Sequence, residues 1–140
     1  FMNILFLCVA NSARSQIAEG LAKAMLDNKH NIQSAGSKPS GIVHPAAKET
    51  LSDMGINITS HKSKAIEDLE EDFLKDLDYV VTLCNEEICP IIKTKAVSLR
   101  WLNEDPANNI FNDAQIKIAF KKTRNNIYQL LKKFMMDNAL

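Results

Sequence analysis

The chain holds 140 residues, 46% of them hydrophobic, with 17 Lys and Arg set against 17 Asp and Glu for a formal net charge of +0 at pH 7. That length carries one domain with a proper core, and the balanced charge gives no reason to expect nucleic acid or an anionic membrane as partner, so affinity for an anion must be local. No apolar run approaches the ~20 residues of a membrane span and no basic segment leads into an apolar stretch with a cleavage site; the expectation is a cytoplasmic protein, one domain over residues 2–140 with Phe1 set aside.

The apolar run from Ile4 to Leu7 delivers the chain to Cys8 and reads as a buried strand. Ile17, Leu21 and Met25 then recur at helical spacing, which predicts a helix from about residue 15 toward residue 30, with Ala18 and Ala22 in the tighter part of its sheet-facing stripe. Residues 31–36 form a second strand ending at Gly36. Pro45, after His44, suits a first helical position, and that helix presents Ala47, Leu51 and Met54 before Gly55 stops it. Ser60 or Ser63 caps a third helix with Ile66, Leu69, Phe73 and Leu77 on one face. The acidic side chains opposite, from Glu67 to Asp72, are adjacent rather than convergent and read as solvated, not metal-binding. Residues 79–83 and 96–101 are two more buried strands. A long helix starts near Asn112, which stands at capping-box spacing from Gln115, and carries the stripe Ile116, Phe120, Thr123, Ile127, Leu130, Leu131 and Phe134.

Strands that alternate with helices imply right-handed crossovers and an α/β fold, here a four-stranded parallel sheet flanked by helices on both faces. Ligands of such sheets sit beyond the carboxyl ends of the strands, where strand order reverses. Cys8 follows the first strand, Cys84 the third, and Asp105 the fourth. All three therefore face one rim.

Cys8 and Arg14 bracket the strand-to-helix turn Cys8-Val9-Ala10-Asn11-Ser12-Ala13-Arg14-Ser15. The first N–H groups of a helix have no intrahelical partner and carry partial positive charge, so a tetrahedral oxyanion is welcome there. Backbone N–H groups along Val9, Ala10, Asn11, Ser12 and Ala13 add donors, and Arg14 can close the cradle with a planar, permanently charged fork. The same field favours a thiolate at Cys8, toward which Ser15 can donate its hydroxyl. For an isolated C-x5-R the alternative is a buried strand-end cysteine; the strand-to-helix context and the residues farther along favour a nucleophile held beneath a bound oxyanion.

Three cysteines, an odd count, do not suggest a structural disulfide framework. If the segment after the third strand winds as a helix, Cys84 and Cys89 lie on different sides with Cα atoms beyond the ~7 Å reach of a disulfide, so bonding them would require unwinding. Half a zinc site is disfavoured, because His30, His44 and His61 stand at no ligand spacing. Two core thiols remain an alternative; the flanking Asn85, Glu86 and Glu87 argue for exposure and chemistry.

The C-x5-R-S turn resembles the low-molecular-weight protein tyrosine phosphatase superfamily, and the run from Asn11 to Gly20 is most similar to its arsenate reductase branch. Thr82-Leu83-Cys84, Cys89-Pro90 and Asp105-Pro106 extend the resemblance over nearly the whole chain. It implies a flavodoxin-like three-layer sandwich and reduction of arsenate to arsenite through a relay of Cys8, Cys84 and Cys89, with Arg14 and Ser15 serving the loop and Asp105 as general acid. It implies no tightly bound cofactor but an external thiol reductant, thioredoxin or else glutaredoxin or glutathione, and a monomer. Members of that branch also bind potassium near the loop; Asn11, Glu19 and Ser34 match that set, whereas Lys64 occupies the aspartate position and would substitute its ammonium for the ion. Other departures are the shorter spacing of the Cys84 and Cys89 pair, Ala13 where a further loop cysteine is common, and Ala107-Asn108 in place of the tyrosines of many phosphatases. The other readings are a phosphatase that hydrolyses phosphate monoesters through a cysteinyl-phosphate, and an oxyanion- or redox-sensing binding protein without turnover.

Overall fold

The computed structural model describes residues 1–85 and 89–140. Its sheet consists of β1 (Asn3–Cys8), β2 (Asn31–Gly36), β3 (Tyr79–Cys84) and β4 (Val97–Asn103), all parallel and ordered β2-β1-β3-β4. Order reverses between β1 and β3, at the carboxyl end of which a ligand crevice is expected. All six residues of β1 are buried, because the strand is covered on both faces.

The period-2 alternation of side chains divides the core. Ile4, Phe6, Val81, Leu83 and Trp101 face α1 (Arg14–Met25), α2 (Pro45–Ser52) and the long α4 (Asp113–Asp137), whose Phe120, Ile127 and Leu131 are buried against them. Leu5, Leu7 and Val80 face the other way, onto Leu69, Phe73 and Leu77 around the short α3 (Glu71–Lys75). The three-layer α/β architecture is the one the sequence implies. The capping box of α4 is present: Asn112 Oδ1 accepts from the Gln115 N–H and Gln115 Oε1 from the Asn112 N–H, both at 2.8 Å. Among the described residues, no helix is long and apolar enough to cross a membrane.

Two elements differ from expectation. The first helix ends at Met25, short of residue 30, since Leu26 turns extended and Asp27 Oδ1 takes the Lys29 N–H in a side-chain-closed turn. The third helix is broken: a 3-10 turn at Ile66–Asp68 precedes α3, and neither Ser60 nor Ser63 caps it. The physical cause is that Ala65 bridges to Gly36 beside β2, which keeps the chain extended up to that point. Leu69, Phe73 and Leu77 are buried all the same, and the acidic side chains from Glu67 to Asp72 are solvent-exposed.

Candidate functional site

Between β1 and α1 the chain makes a tight turn whose outward-facing carbonyls are all held by the scaffold. Val9 O accepts from the Lys38 N–H at 2.9 Å, Ala10 O from the Ser40 N–H and the Ser63 hydroxyl at 3.0 Å, and Ser12 O from the His44 N–H at 2.9 Å. Asn11 O accepts from Gln16 Nε2 at 3.2 Å, and Ala13 O from the Ile17 N–H at 2.9 Å. In a trans peptide the N–H points opposite the C=O, so fixing these carbonyls outward directs the N–H groups of residues 10–14 inward. The turn is thus a concave nest of donors at the start of α1, the geometry that binds an anion.

Asn11 makes the turn possible. Its φ of 48° lies in the left-handed region, which asparagine tolerates better than most residues. Its side chain, wholly buried, donates from Nδ2 to Ser15 Oγ at 2.8 Å and Ser34 Oγ at 2.9 Å, while Oδ1 accepts from Gln16 Nε2 and the Lys64 N–H, both at 3.0 Å. With Asn11 filling one side of the Ser15 oxygen, the serine proton is left to point elsewhere. Gly36, at the end of β2, lets the turn pack: a Cβ there would stand 2.3 Å from Val9 O and 3.0 Å from Asn11 N.

A cleft of about 660 Å³ opens over the turn. Cys8 and Arg14 lie in its lining with Asn85, Glu104, Asp105 and Phe111, so the ends of β1, β3 and β4 meet there, but the lining residue from the end of β3 is Asn85 and not the buried Cys84. Cys8 is a free, buried thiol. The Arg14 guanidinium is held from the β4 side, Nη1 donating to Asn103 O at 2.8 Å. That carbonyl is aimed by an irregularity in the β3–β4 register: Thr82 faces Arg100 but Cys84 faces Asn103, one residue farther on. Asp105 is exposed, and its Oδ1 accepts from the Ala107 N–H at 2.9 Å, so the turn-forming role of Asp-Pro and a place in the cleft coexist.

Cys84 and Cys89 are joined by a disulfide with Cα atoms 6.0 Å apart. The proposed helical winding of the intervening segment concerns residues 86–88, which lie outside the described residues. Exposure is uneven: Asn85 is open to solvent and Cys89 partly so, whereas Cys84 is fully buried as the last residue of β3.

Behind the turn sits a buried carboxylate. Glu19 Oε1 accepts from the Ser34 hydroxyl at 2.5 Å and lies 3.7 Å from Lys64 Nζ; Oε2 binds Lys23 Nζ at 2.6 Å and lies 3.7 Å from His61 Nε2. Burial pushes the Glu19 carboxyl up, yet the Lys23 and Ser34 hydrogen bonds with the charges of Lys64 and His61 outweigh it and hold the group below its ordinary range. Burial lowers the pKa of His61; Glu19 opposes that, and the ammonium groups of Lys23 and Lys64 add to it, so the net direction is down despite the carboxylate. A potassium ion does not fit this set of residues. The Asn11 carbonyl already accepts two N–H donors and two ammonium groups stand at Glu19, so the oxygens an alkali cation needs are committed to other partners. Among the described residues, no group of three or more His, Cys, Asp and Glu could hold a metal ion.

The supporting roles of Lys38, Ser40 and Gln16 had no signal in the sequence, because backbone N–H groups and a helical glutamine carry no pattern. Gly36 and His44 were visible only as punctuation, a strand end and the residue before a proline.

The chain is similar in sequence and fold to known proteins. The sequence profile described as low molecular weight phosphotyrosine protein phosphatase matches residues 3–139. Arsenate reductase 1 of Staphylococcus saprophyticus is 39% identical over 126 residues, spanning 85% of this chain and 93% of that protein. Among solved structures, an arsenate reductase in the phosphate binding state superposes with a TM-score of 0.78 at 28% identity, covering 98% of both chains. The thioredoxin-dependent arsenate reductase of Corynebacterium glutamicum superposes with a TM-score of 0.69 at 29% identity, covering 97% of this chain and 63% of that one. The chain belongs to the low molecular weight phosphotyrosine protein phosphatase family, on its arsenate reductase branch.

Proposed function

We propose that the protein reduces arsenate to arsenite through Cys8, Cys84 and Cys89. The observation that carries this reading is the Cys84–Cys89 disulfide set beside a free Cys8 under the anion nest, the end point that such a relay leaves. Arsenate sits on the inward N–H groups of the turn with Arg14 bridging two oxygens. The Cys8 thiolate attacks arsenic, and Asp105 gives a proton to the departing oxygen, which leaves as water. The Cys84 thiolate then attacks Cys8 Sγ. The electron pair of the sulfur–arsenic bond goes to arsenic, arsenite leaves, and a Cys8–Cys84 disulfide remains. Cys89 attacks Cys84 Sγ, returning Cys8 as a thiolate and forming the Cys84–Cys89 bond. An external dithiol reaches that bond at Cys89, the more open of its two sulfur-bearing residues, and thioredoxin is the donor this reading assigns, with glutaredoxin and glutathione as the other arms of the test. The reading places the enzyme in the cytoplasm as a monomer.

The test is NADPH consumption with thioredoxin, thioredoxin reductase and arsenate, run beside hydrolysis of an aromatic phosphate monoester. Arsenate-dependent oxidation that saturates is expected. Hydrolysis of the monoester with no arsenate-dependent oxidation from any thiol donor would instead select the phosphatase reading, which uses Cys8, Arg14 and Asp105 alone.

Replacing Asp105 by asparagine removes the proton donor and keeps the side-chain oxygen that closes the turn on Ala107. Single-turnover arsenite formation should slow by about 10²–10⁴-fold, with sulfate binding to the turn preserved. Because Lys23 and Lys64 already neutralise Glu19, turnover should be the same in potassium and in sodium at matched ionic strength. A potassium stimulation would count against the built-in ammonium.

A further inference from the structure

His44 sits where α2 meets the turn and makes two contacts of different kinds. Its backbone N–H donates to Ser12 O at 2.9 Å, one of the bonds that hold the turn's carbonyls outward. Its side chain is the N-cap of α2, Nδ1 accepting from the Ala46 N–H at 3.0 Å. The ring is half-buried and packs on the fully buried Phe120 of α4, with centroids 4.7 Å apart.

Histidine is an unusual cap, since it accepts through Nδ1 only while that nitrogen lacks a proton. An imidazolium has no lone pair for Ala46 and would also stand at the positive end of the α2 dipole. We propose that His44 is a pH-sensitive positioning residue of the oxyanion turn: its neutral ring caps α2 and steadies the backbone that holds Ser12, and protonation releases the cap and loosens the turn.

The surroundings favour the neutral ring. Burial lowers the His44 pKa, and the Asp105 carboxylate, from the connection between β4 and α4, opposes this only in part. Asp105 would attract the imidazolium once the cap is lost. On α4 the ring meets apolar Phe120, flanked by Lys117 and Lys121, and Lys117 pairs with Glu49 of α2 at 3.5 Å. Lys48 is the remaining charge near the start of α2, and on the turn side Arg14 is bound to Asn103. The effect therefore develops as pH falls below the ordinary histidine value of 6.5, because there the unfolded or loosened chain takes up the proton before the capped one does.

The inference rests on one part of the proposed function, that the turn binds a tetrahedral oxyanion, and not on the thiol relay. Sulfate separates the two: it keeps its charge between about pH 5.5 and 7.5 and cannot be reduced by thiols. Calorimetric titration of the reduced full chain with sulfate, at both pH values, compares wild type with His44→Ala and His44→Asn. At the higher pH, His44→Ala should bind about fivefold more weakly, the worth of a lost cap, and His44→Asn should rescue binding because asparagine also caps. On going to the lower pH, wild type should lose about fivefold more affinity than His44→Asn, again the worth of the cap, and its Ala46 amide resonance should shift in step with the His44 ring. Parallel loss in wild type and His44→Asn, an Ala46 resonance indifferent to the ring, or His44→Ala binding like wild type would each overturn the proposal. Absence of sulfate binding to wild type at the higher pH would overturn the turn as an oxyanion site and the proposal with it.

Discussion

Replacing Cys84 by serine should abolish thioredoxin-coupled arsenate reduction while hydrolysis of an aromatic phosphate monoester persists. Serine keeps the size of the side chain, but position 84 is fully buried at the end of β3, so the buried hydroxyl costs some stability and thermal denaturation checks that the variant is folded. What disappears is the thiol that the relay uses to take Cys8 Sγ away from arsenic, since an alcohol is a poor nucleophile toward sulfur. Ester hydrolysis needs the anion nest, Cys8, Arg14 and a proton donor, none of which involves residue 84. The comparison is made at equal protein concentration with both substrates, and mass spectrometry of the variant after arsenate should show no Cys8 disulfide within the chain. Unchanged arsenate reduction in this variant would remove Cys84 from the relay.

Gly36→Ala should be the most damaging single methyl group in the molecule for oxyanion affinity. The added Cβ would stand 2.3 Å from Val9 O and 3.0 Å from Asn11 N, backbone atoms that cannot rotate away as a side-chain tip could. Either β2 moves off β1, breaking a register in which Cys8 faces Gly36, or the turn itself shifts. Overpacking of this kind costs about 1–3 kcal/mol of stability. A displacement near 1 Å in the groups that position an oxyanion costs about 10²-fold in rate. Thermal denaturation should therefore show a folded, destabilised protein, and arsenate reduction should fall far more than stability does. Near-normal turnover in a folded Gly36→Ala variant would mean that the turn is not shaped by its contact with β2.

How legible this was in the sequence depended on where the determining partners lie. Strands rich in aliphatic residues and a helix with its own capping box, Asn112 with Gln115, are specified by neighbours in sequence, and they stand where the pattern put them. The third helix failed because its apolar spacing was real but its backbone had a distant commitment. Ala65 bridges to Gly36, and no local pattern reports that. Likewise, Cys8, Cys84 and Asp105 could be placed on one rim by topology alone; one cleft contains Cys8 and Asp105, whereas at the end of β3 it is lined by Asn85 rather than by Cys84. The groups that hold the nest open are separated in sequence and consist mostly of backbone, as with Lys38 on Val9 and His44 on Ser12. The exposure inferred for Cys84 from its polar successors was wrong for the sulfur-bearing residue itself, which is buried as the last residue of β3. At the cation site the sequence already showed Lys64 where a carboxylate was expected. The structure adds Lys23 bound to the same carboxylate and His61 close by.

The relay is tested most directly by counting thiols in a single turnover. The chain has three cysteines. Fully reduced protein mixed with excess arsenate and no external reductant should form one arsenite per chain and retain one titratable thiol, mapped to Cys8, with Cys84 and Cys89 joined. Arsenite formed without loss of thiols, or a final disulfide that includes Cys8, would contradict the account.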